Sequence, residues 1–112
     1  MRHLLFSYGT LQDSEVQLEL FGRTIAGSPD SLIRYKTVPI RFAEHAFQPV
    51  VEQPTFLIAV FTGNPADEIS GTVLELSADE LATADKYEPD DYERIGVRLT
   101  SGRDTWVYVQ RR

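Results

Sequence analysis

The apolar residues of this chain of 112 residues fall in short runs, and the longest, from Phe56 to Phe61, has only six members. A helix that spans a bilayer needs about 20 residues, so we expect no membrane insertion. No charged-then-apolar leader opens the sequence, so we expect no classical secretion. Short runs bounded by glycine, proline and polar residues are typical of strands joined by turns. The pattern therefore predicts one small domain, residues 1–112, built largely from short strands.

The composition narrows the classes of function. Hydrophobic residues make up 42% and charged residues 25%, which predicts a folded chain rather than a disordered one. There is no cysteine, which excludes a disulfide framework, a thiolate nucleophile and a cysteine-based metal site, and favours the cytoplasm as the default location. A net charge of −6 makes nucleic acid a poor partner.

The negative charge is concentrated in one segment. Residues 79–93 contain seven acids and one base, so this segment accounts for the whole net charge. A block of this kind is usually only a solvated face of the protein.

Capping signals predict two helices, and turn signals separate the extended segments. The helices are expected from Asp13 or Ser14 to Gly22 and from the capping box at Ser77 to Tyr87 or Glu88. In segment 4–11 a buried strand is expected to end in a tight loop at Gly9. Further strands are expected in segments 24–42 with an interruption at 28–30, 44–54 as a short edge strand in a loop, 56–62, 69–76, 92–100 and 105–110. Because the late strands are joined by short turns, we expect an α+β fold with a mixed, mostly antiparallel sheet that curls into a small β-barrel.

Several kinds of catalytic site are disfavoured. His3 and His45 have no partner at metal-ligand spacing, so each is interpreted as an ordinary strand or loop residue and no metal is expected. The serines lack the Gly-x-Ser-x-Gly elbow of a nucleophile, and Gly-rich phosphate loops are absent.

The first feature that carries chemistry is the segment Tyr8-Gly9-Thr10-Leu11. It places a glycine at the end of an apolar strand, where successive backbone N–H groups can converge on an anion such as a carboxylate. The alternative is a plain turn.

The second feature is the end of the acidic helix. Leu81, Asp85 and Glu88 follow an i, i+4, i+7 spacing, which places two carboxylates on the stripe of a core-seeking leucine. Glu88 would stand at the negative end of the helix dipole among other acids, and both effects would raise its pKa. A carboxyl group with a raised pKa suits a general acid or base, although an exposed acidic terminus that only aids solubility is the alternative.

These features occur in an order that resembles a known family. The segments that carry the resemblance are Leu5 to Leu11, Gly71-Thr72-Val73, Asp85-Lys86-Tyr87-Glu88, Tyr92-x-Arg94 and Trp106-Val107-Tyr108-Val109. Together they resemble the gamma-glutamylcyclotransferase-like family across nearly the whole chain. The resemblance implies a small mixed barrel flanked by helices, with a cavity lined by the Tyr-Gly-Thr-Leu loop and the glutamate.

The resemblance also implies a reaction. Family members convert a gamma-glutamyl compound into 5-oxoproline and a free amine, as acyl transferases or lyases that need no metal or organic cofactor. By position, Glu88 would be the catalytic acid/base, and the Tyr8–Leu11 loop, with amides of Gly9, Thr10 and Leu11, would bind the small-molecule gamma-glutamyl substrate. Tyr92 and Tyr108 match aromatic positions near the cavity, or are core residues with a satisfied hydroxyl group.

Two departures from the family pattern keep another function open. Pro89 stands where the family usually has glycine, and Gln12-Asp13-Ser14-Glu15 replaces a segment that is basic in many members. The alternative is therefore a non-catalytic small-molecule or protein-binding module on the same barrel. The chain is expected to be a monomer, or a homodimer that pairs through the strand edge at 56–62.

Overall fold

The structure is a computed structural model, and it describes residues 3–40 and 56–111. Its strands are β1 (His3–Ser7), β2 (Ser28–Ile33), β3 (Tyr35–Ile40), β4 (Phe56–Phe61), β5 (Glu68–Leu76), β6 (Tyr92–Arg98) and β7 (Asp104–Gln110). Its helices are α1 (Ser14–Phe21) and α2 (Ala78–Tyr87), and a 3-10 turn spans Thr10–Gln12. The predicted α+β class is confirmed.

The strands form two sheets. The larger has the order β2-β5-β1-β7-β6, and β3 and β4 form a separate two-stranded sheet. The central pair β1 and β7 is parallel, whereas the other pairs are antiparallel, so the sheets are mixed and mostly antiparallel as expected. Within the described residues neither sheet closes on itself, because β3 and β4 are hydrogen-bonded in a ladder only to each other. The predicted barrel is therefore not confirmed.

The interruption that was predicted at 28–30, within the extended segment 24–42, is wrong. Pro29, expected in an interruption, lies inside β2 and pairs with Thr72 of β5. Because β2 is the outer strand of the sheet, a proline without an N–H group costs no ladder hydrogen bond on its open side. The chain instead turns at Arg34, whose φ of 75° separates β2 from β3. The short edge strand expected in 44–54 lies outside the described residues.

Both helices are capped as predicted. Asp13 caps α1 by accepting from the amide of Glu15 at 2.9 Å, and Gly22 ends the helix in the left-handed conformation. The capping box at the start of α2 is present. Glu88 is the C-cap of α2, and its backbone is extended rather than helical (φ −74°, ψ 139°), as expected for a residue that precedes proline. No helix in the described ranges reaches the length or apolarity of a membrane span.

Helix α1 is tied to the site by a buried amide. Gln17 is only 2% exposed, and its Nε2 donates to the carbonyl oxygen of Leu11 at 2.8 Å while its Oε1 accepts from the amide of Ile25 at 2.8 Å. Buried polar groups are costly when unpaired, so this side chain fixes the loop before α1 against the chain that follows it.

Candidate active site

A cavity of about 540 Å³ opens beside the end of β1, where the loop before α1 meets the end of α2. Its walls are built from five parts of the chain: the end of β1 with the loop that follows it, β4, the end of α2, the start of β6, and β7. The lining residues from the loop are Tyr8 to Asp13, and those from the other elements include Leu57, Tyr87, Glu88, Pro89, Tyr92 and Tyr108. All seven site residues expected from the sequence therefore lie on one cavity.

The loop presents backbone amides that its own turns do not use. The Gly9 amide donates to Ser7 Oγ at 3.4 Å, which is long for a hydrogen bond. The amides of Gln12 and Asp13 close the 3-10 turn, but those of Thr10 and Leu11 donate no turn or loop hydrogen bond to any described residue. The amides are not consumed by the sheet, because β1 ends at Ser7.

Glu88 is half-buried in the cavity wall. Burial raises its pKa to about 7. Its carboxylate receives no hydrogen bond from the described residues, so nothing there offsets the cost of removing its charge from water. The predicted direction is confirmed, and the cause that the structure gives for the raised pKa is burial, which the sequence did not indicate.

Three tyrosines form the wall around Glu88, and each hydroxyl group is satisfied elsewhere. The Tyr8 hydroxyl donates to the carbonyl oxygen of Tyr108 at 2.6 Å, and the Tyr92 hydroxyl donates to that of Leu57 at 2.9 Å. The Tyr108 hydroxyl contacts Asp85. Tyr92 and Tyr108 are buried as well as cavity-lining, so both interpretations of these residues hold together.

Asp85 does not line the cavity, and it is held by an arginine. Arg94 donates to both of its carboxylate oxygens, at 2.7 and 2.9 Å, and the guanidinium lies 4.3 Å from the ring centroid of Trp106. The Tyr108 hydroxyl adds a third hydrogen bond at 2.7 Å. Burial acts to raise the pKa of Asp85, but the hydrogen bonds from Arg94 and Tyr108 outweigh it and hold the pKa below its usual value.

Asp85 and Glu88, which were predicted on one stripe of the helix, therefore differ in their pKa values. Asp85 is paired and stays ionised, whereas Glu88 is unpaired and titrates near neutrality. Two carboxyl groups whose environments push their pKa values apart are a common arrangement in acid–base sites.

The family model for gamma-glutamyl cyclotransferase, AIG2-like proteins matches residues 5–112. The chain belongs to this family. Comparison with curated proteins finds no significant match.

Several solved structures share the fold of this chain. A protein of Arabidopsis thaliana, known from its solution structure, is 22% identical with a TM-score of 0.72, and the match covers 98% of this chain and 62% of that one. A solved gamma-glutamyl cyclotransferase is 17% identical with a TM-score of 0.75, covering 99% of this chain and 68% of that chain. An uncharacterized human protein gives 19% identity, a TM-score of 0.75 and the same two coverages. At these identities the likeness is one of fold.

The cavity of this chain also has lining residues that the sequence did not predict. The Tyr87 hydroxyl and Thr10 Oγ1 are hydrogen-bonded at 2.8 Å, which joins the end of α2 to the loop, and Leu57 of β4 lies in the wall. Tyr87 stands beside Glu88 in the Asp-Lys-Tyr-Glu segment, and this position was its only signal in the sequence. Leu57 had no signal, because the place of β4 relative to the cavity depends on tertiary packing.

No metal site accompanies the cavity in the part of the chain that the structure describes, where no group of three or more histidine or acidic side chains could hold an ion. His45 lies outside that part. Several charged groups near Glu88 border a smaller depression of about 290 Å³ that shares Glu88, Pro89, Tyr92 and Tyr108 with the main cavity.

Proposed function

We propose that this chain is a cyclotransferase that releases 5-oxoproline and a free amine from a gamma-glutamyl amine, peptide or related small metabolite, with Glu88 as acid/base. The observation that carries the proposal is the unpaired, half-buried Glu88 carboxylate in the wall of the 540 Å³ cavity, with a pKa of about 7. Membership of the gamma-glutamyl cyclotransferase family supports the type of reaction.

The loop amides suit the anionic part of such a substrate. Among the described residues that line the cavity there is no lysine or arginine, so a substrate carboxylate would depend on neutral donors. The amides of Gly9, Thr10 and Leu11 lie beside the cavity, and the last two have no turn partner. Backbone N–H groups at such a turn form concave anion sites, and we assign the α-carboxylate of the gamma-glutamyl group to them.

One carboxylate can perform both proton transfers. The neutral α-amino nitrogen of the substrate attacks the γ-carbonyl carbon to form the five-membered ring, and Glu88 accepts the proton that this nitrogen loses as the new bond forms. The bond between that carbon and the leaving nitrogen then breaks, and Glu88 returns the proton to the departing amine. The products are 5-oxoproline and the free amine, with no water consumed and no net gain or loss of protons by the enzyme.

The pKa of Glu88 matches this task. A general base works best when its pKa lies near the working pH, because it is then partly ionised and still basic enough to remove a proton. An ordinary surface glutamate would be fully ionised at pH 7 but weakly basic. The walls of the cavity would contribute separately, by holding the flexible substrate with its amine close to its own carbonyl group.

The alternative is a non-catalytic module that binds a small molecule or a protein. Two observations favour it: Pro89 replaces the usual glycine directly beside Glu88 in the wall, and Asp13 gives the cavity an acidic residue. Both residues change the edge of the cavity and leave Glu88 in place, so we propose catalysis rather than binding alone.

The direct test is a screen of gamma-glutamyl amines and peptides for release of 5-oxoproline, measured by mass spectrometry without added metal and repeated with a chelator. We expect release from at least one compound, in equal amounts with its amine. Binding without any release would support the non-catalytic module instead.

A further inference from the structure

The three tyrosine hydroxyl groups near Glu88 donate their protons to other acceptors. Tyr8 and Tyr92 donate to backbone carbonyl oxygens, and Tyr108 contacts the Asp85 carboxylate. All three line the same cavity as Glu88. Burial raises the pKa of each phenol, to about 12 for Tyr92, and the nearby charge of Glu88 adds to the rise in all three. Glu88 therefore lies among neutral hydroxyl groups, yet it accepts no hydrogen bond from them.

Tyr108 differs from the other two in its acceptor. A backbone carbonyl oxygen is fixed by the sheet, but the acceptor of Tyr108 is a side chain, so the direction of its hydroxyl group depends on where Asp85 is held. An ionised carboxylate can only accept, so the proton between the two groups belongs to Tyr108. Arg94 fixes that carboxylate with two hydrogen bonds and lies over Trp106.

We propose that Asp85, held by Arg94, is a positioning residue that draws the Tyr108 hydroxyl group away from Glu88 and so keeps the Glu88 carboxylate free to take a proton from the substrate. This inference rests on the proposed function, since a carboxylate kept unpaired in a cavity serves proton transfer. A hydrogen bond from Tyr108 would stabilise the ionised form of Glu88 and make it a weaker base. Asp85 prevents that bond without contacting the substrate itself.

Other charged groups lie near Glu88, so a test has to compare variants in which these charges are the same. Those that border the main cavity or the smaller depression beside it are Asp13 before α1, Asp85 in α2, Asp90 after α2, Glu93 and Arg94 in β6, and Arg111 after β7. Removing Asp85 changes the local charge and also leaves Arg94 unpaired. Both changes would lower the pKa of Glu88 even if Tyr108 played no part, so a single substitution is not sufficient.

The test is a cycle of three variants: Asp85→Ala, Tyr108→Phe and the double variant. The titration of Glu88 is followed by NMR of protein that carries ¹³C-labelled glutamate, without substrate, and its resonance is identified by its loss in Glu88→Gln. Asp85→Ala and the double variant share the same change of charge. The difference between their midpoints therefore reports the Tyr108 hydroxyl group alone.

We expect the Glu88 midpoint in Asp85→Ala to lie about one pH unit below that of the double variant, as one hydrogen bond to a charged group would produce. We expect Tyr108→Phe alone to titrate like the unaltered protein. Equal midpoints in Asp85→Ala and the double variant would overturn the proposal. So would a raised midpoint in Tyr108→Phe, which would mean that Tyr108 already donates to Glu88. This second arm needs only the phenylalanine variant, so the proposal can still be overturned if Asp85→Ala does not fold.

Turnover provides a separate readout. In an active enzyme the midpoint of kcat/KM against pH should move with the NMR midpoint in each variant, whereas loss of a merely structural contact would lower activity without moving the midpoint. If the unaltered protein releases no 5-oxoproline from any substrate, the proposed function fails. The NMR cycle would still decide whether Asp85 controls Glu88, so the two failures are distinguishable.

Discussion

The Glu88→Gln substitution tests the electrostatic basis of the site without a substrate. Burial raises the pKa of this carboxyl group from 4.5 to about 7, so the folded protein holds a proton there that the unfolded chain releases. Between these two values the folded state binds more protons than the unfolded state, and the free energy of unfolding therefore falls as the pH rises. Glutamine has a similar shape and carries no charge at any pH, so the variant should lack this penalty.

The size of the effect follows from the pKa difference. At about 1.36 kcal/mol per pH unit, a rise from 4.5 to about 7 corresponds to roughly 3 kcal/mol of lost stability once Glu88 is fully ionised. We expect Glu88→Gln to be more stable than the unaltered protein by about 3 kcal/mol at pH 8.5, and by about 1 kcal/mol at pH 5.

Urea unfolding followed by circular dichroism at these two pH values measures the difference. Glu19→Gln is the matched control, because it makes the same chemical change on the exposed face of α1. It should alter stability by less than about 0.5 kcal/mol at either pH. A Glu88→Gln variant with the same stability as the unaltered protein at pH 8.5 would contradict the reasoning, since it would show that the ionised carboxylate is not penalised by burial.

Three further predictions concern the reaction and the framework of the site. kcat/KM should rise with pH to a plateau with a midpoint near pH 7, because Glu88 must be ionised to accept a proton, and a midpoint near 4.5 measured with the active substrate would contradict this. Gly71→Ala should lower stability by about 1 to 3 kcal/mol in urea unfolding, because the added Cβ would lie 2.5 Å from the backbone oxygen of Ser7; an unchanged midpoint would show that β1 and β5 can separate without cost. Gln17→Leu should lower thermal stability by the equivalent of about 2 kcal/mol or more, because two buried backbone groups lose their partner, whereas an unchanged melting temperature would mean that water replaces it.

Features that depend on neighbours in the sequence were predictable. The caps at Asp13, Gly22 and Ser77 are local hydrogen-bonding patterns, and each occurs where it was expected. The spacing of Leu81 and Glu88 is also local, and it indicated that this carboxyl group faces the protein, although Glu88 itself lies just past the end of α2.

Features that depend on tertiary neighbours were not predictable. Pro29 was placed in a break because nothing in the sequence shows that its strand is the outer one of the sheet. The burial that raises the pKa of Glu88 is produced by strands distant in the sequence. The hydroxyl group of Tyr8 has partners 51 and 100 residues away, and a contact of that range leaves no pattern in a single sequence.

The measurement that tests the central claim most directly is the rate of 5-oxoproline release by Glu88→Gln, compared with the unaltered protein on the same gamma-glutamyl substrate at pH 8. Glutamine keeps the hydrogen-bonding reach of the side chain but cannot accept and return a proton. We predict that kcat falls about a hundredfold or more in a variant that circular dichroism shows to be folded. Full activity in that folded variant would contradict the assignment of Glu88 as the proton shuttle.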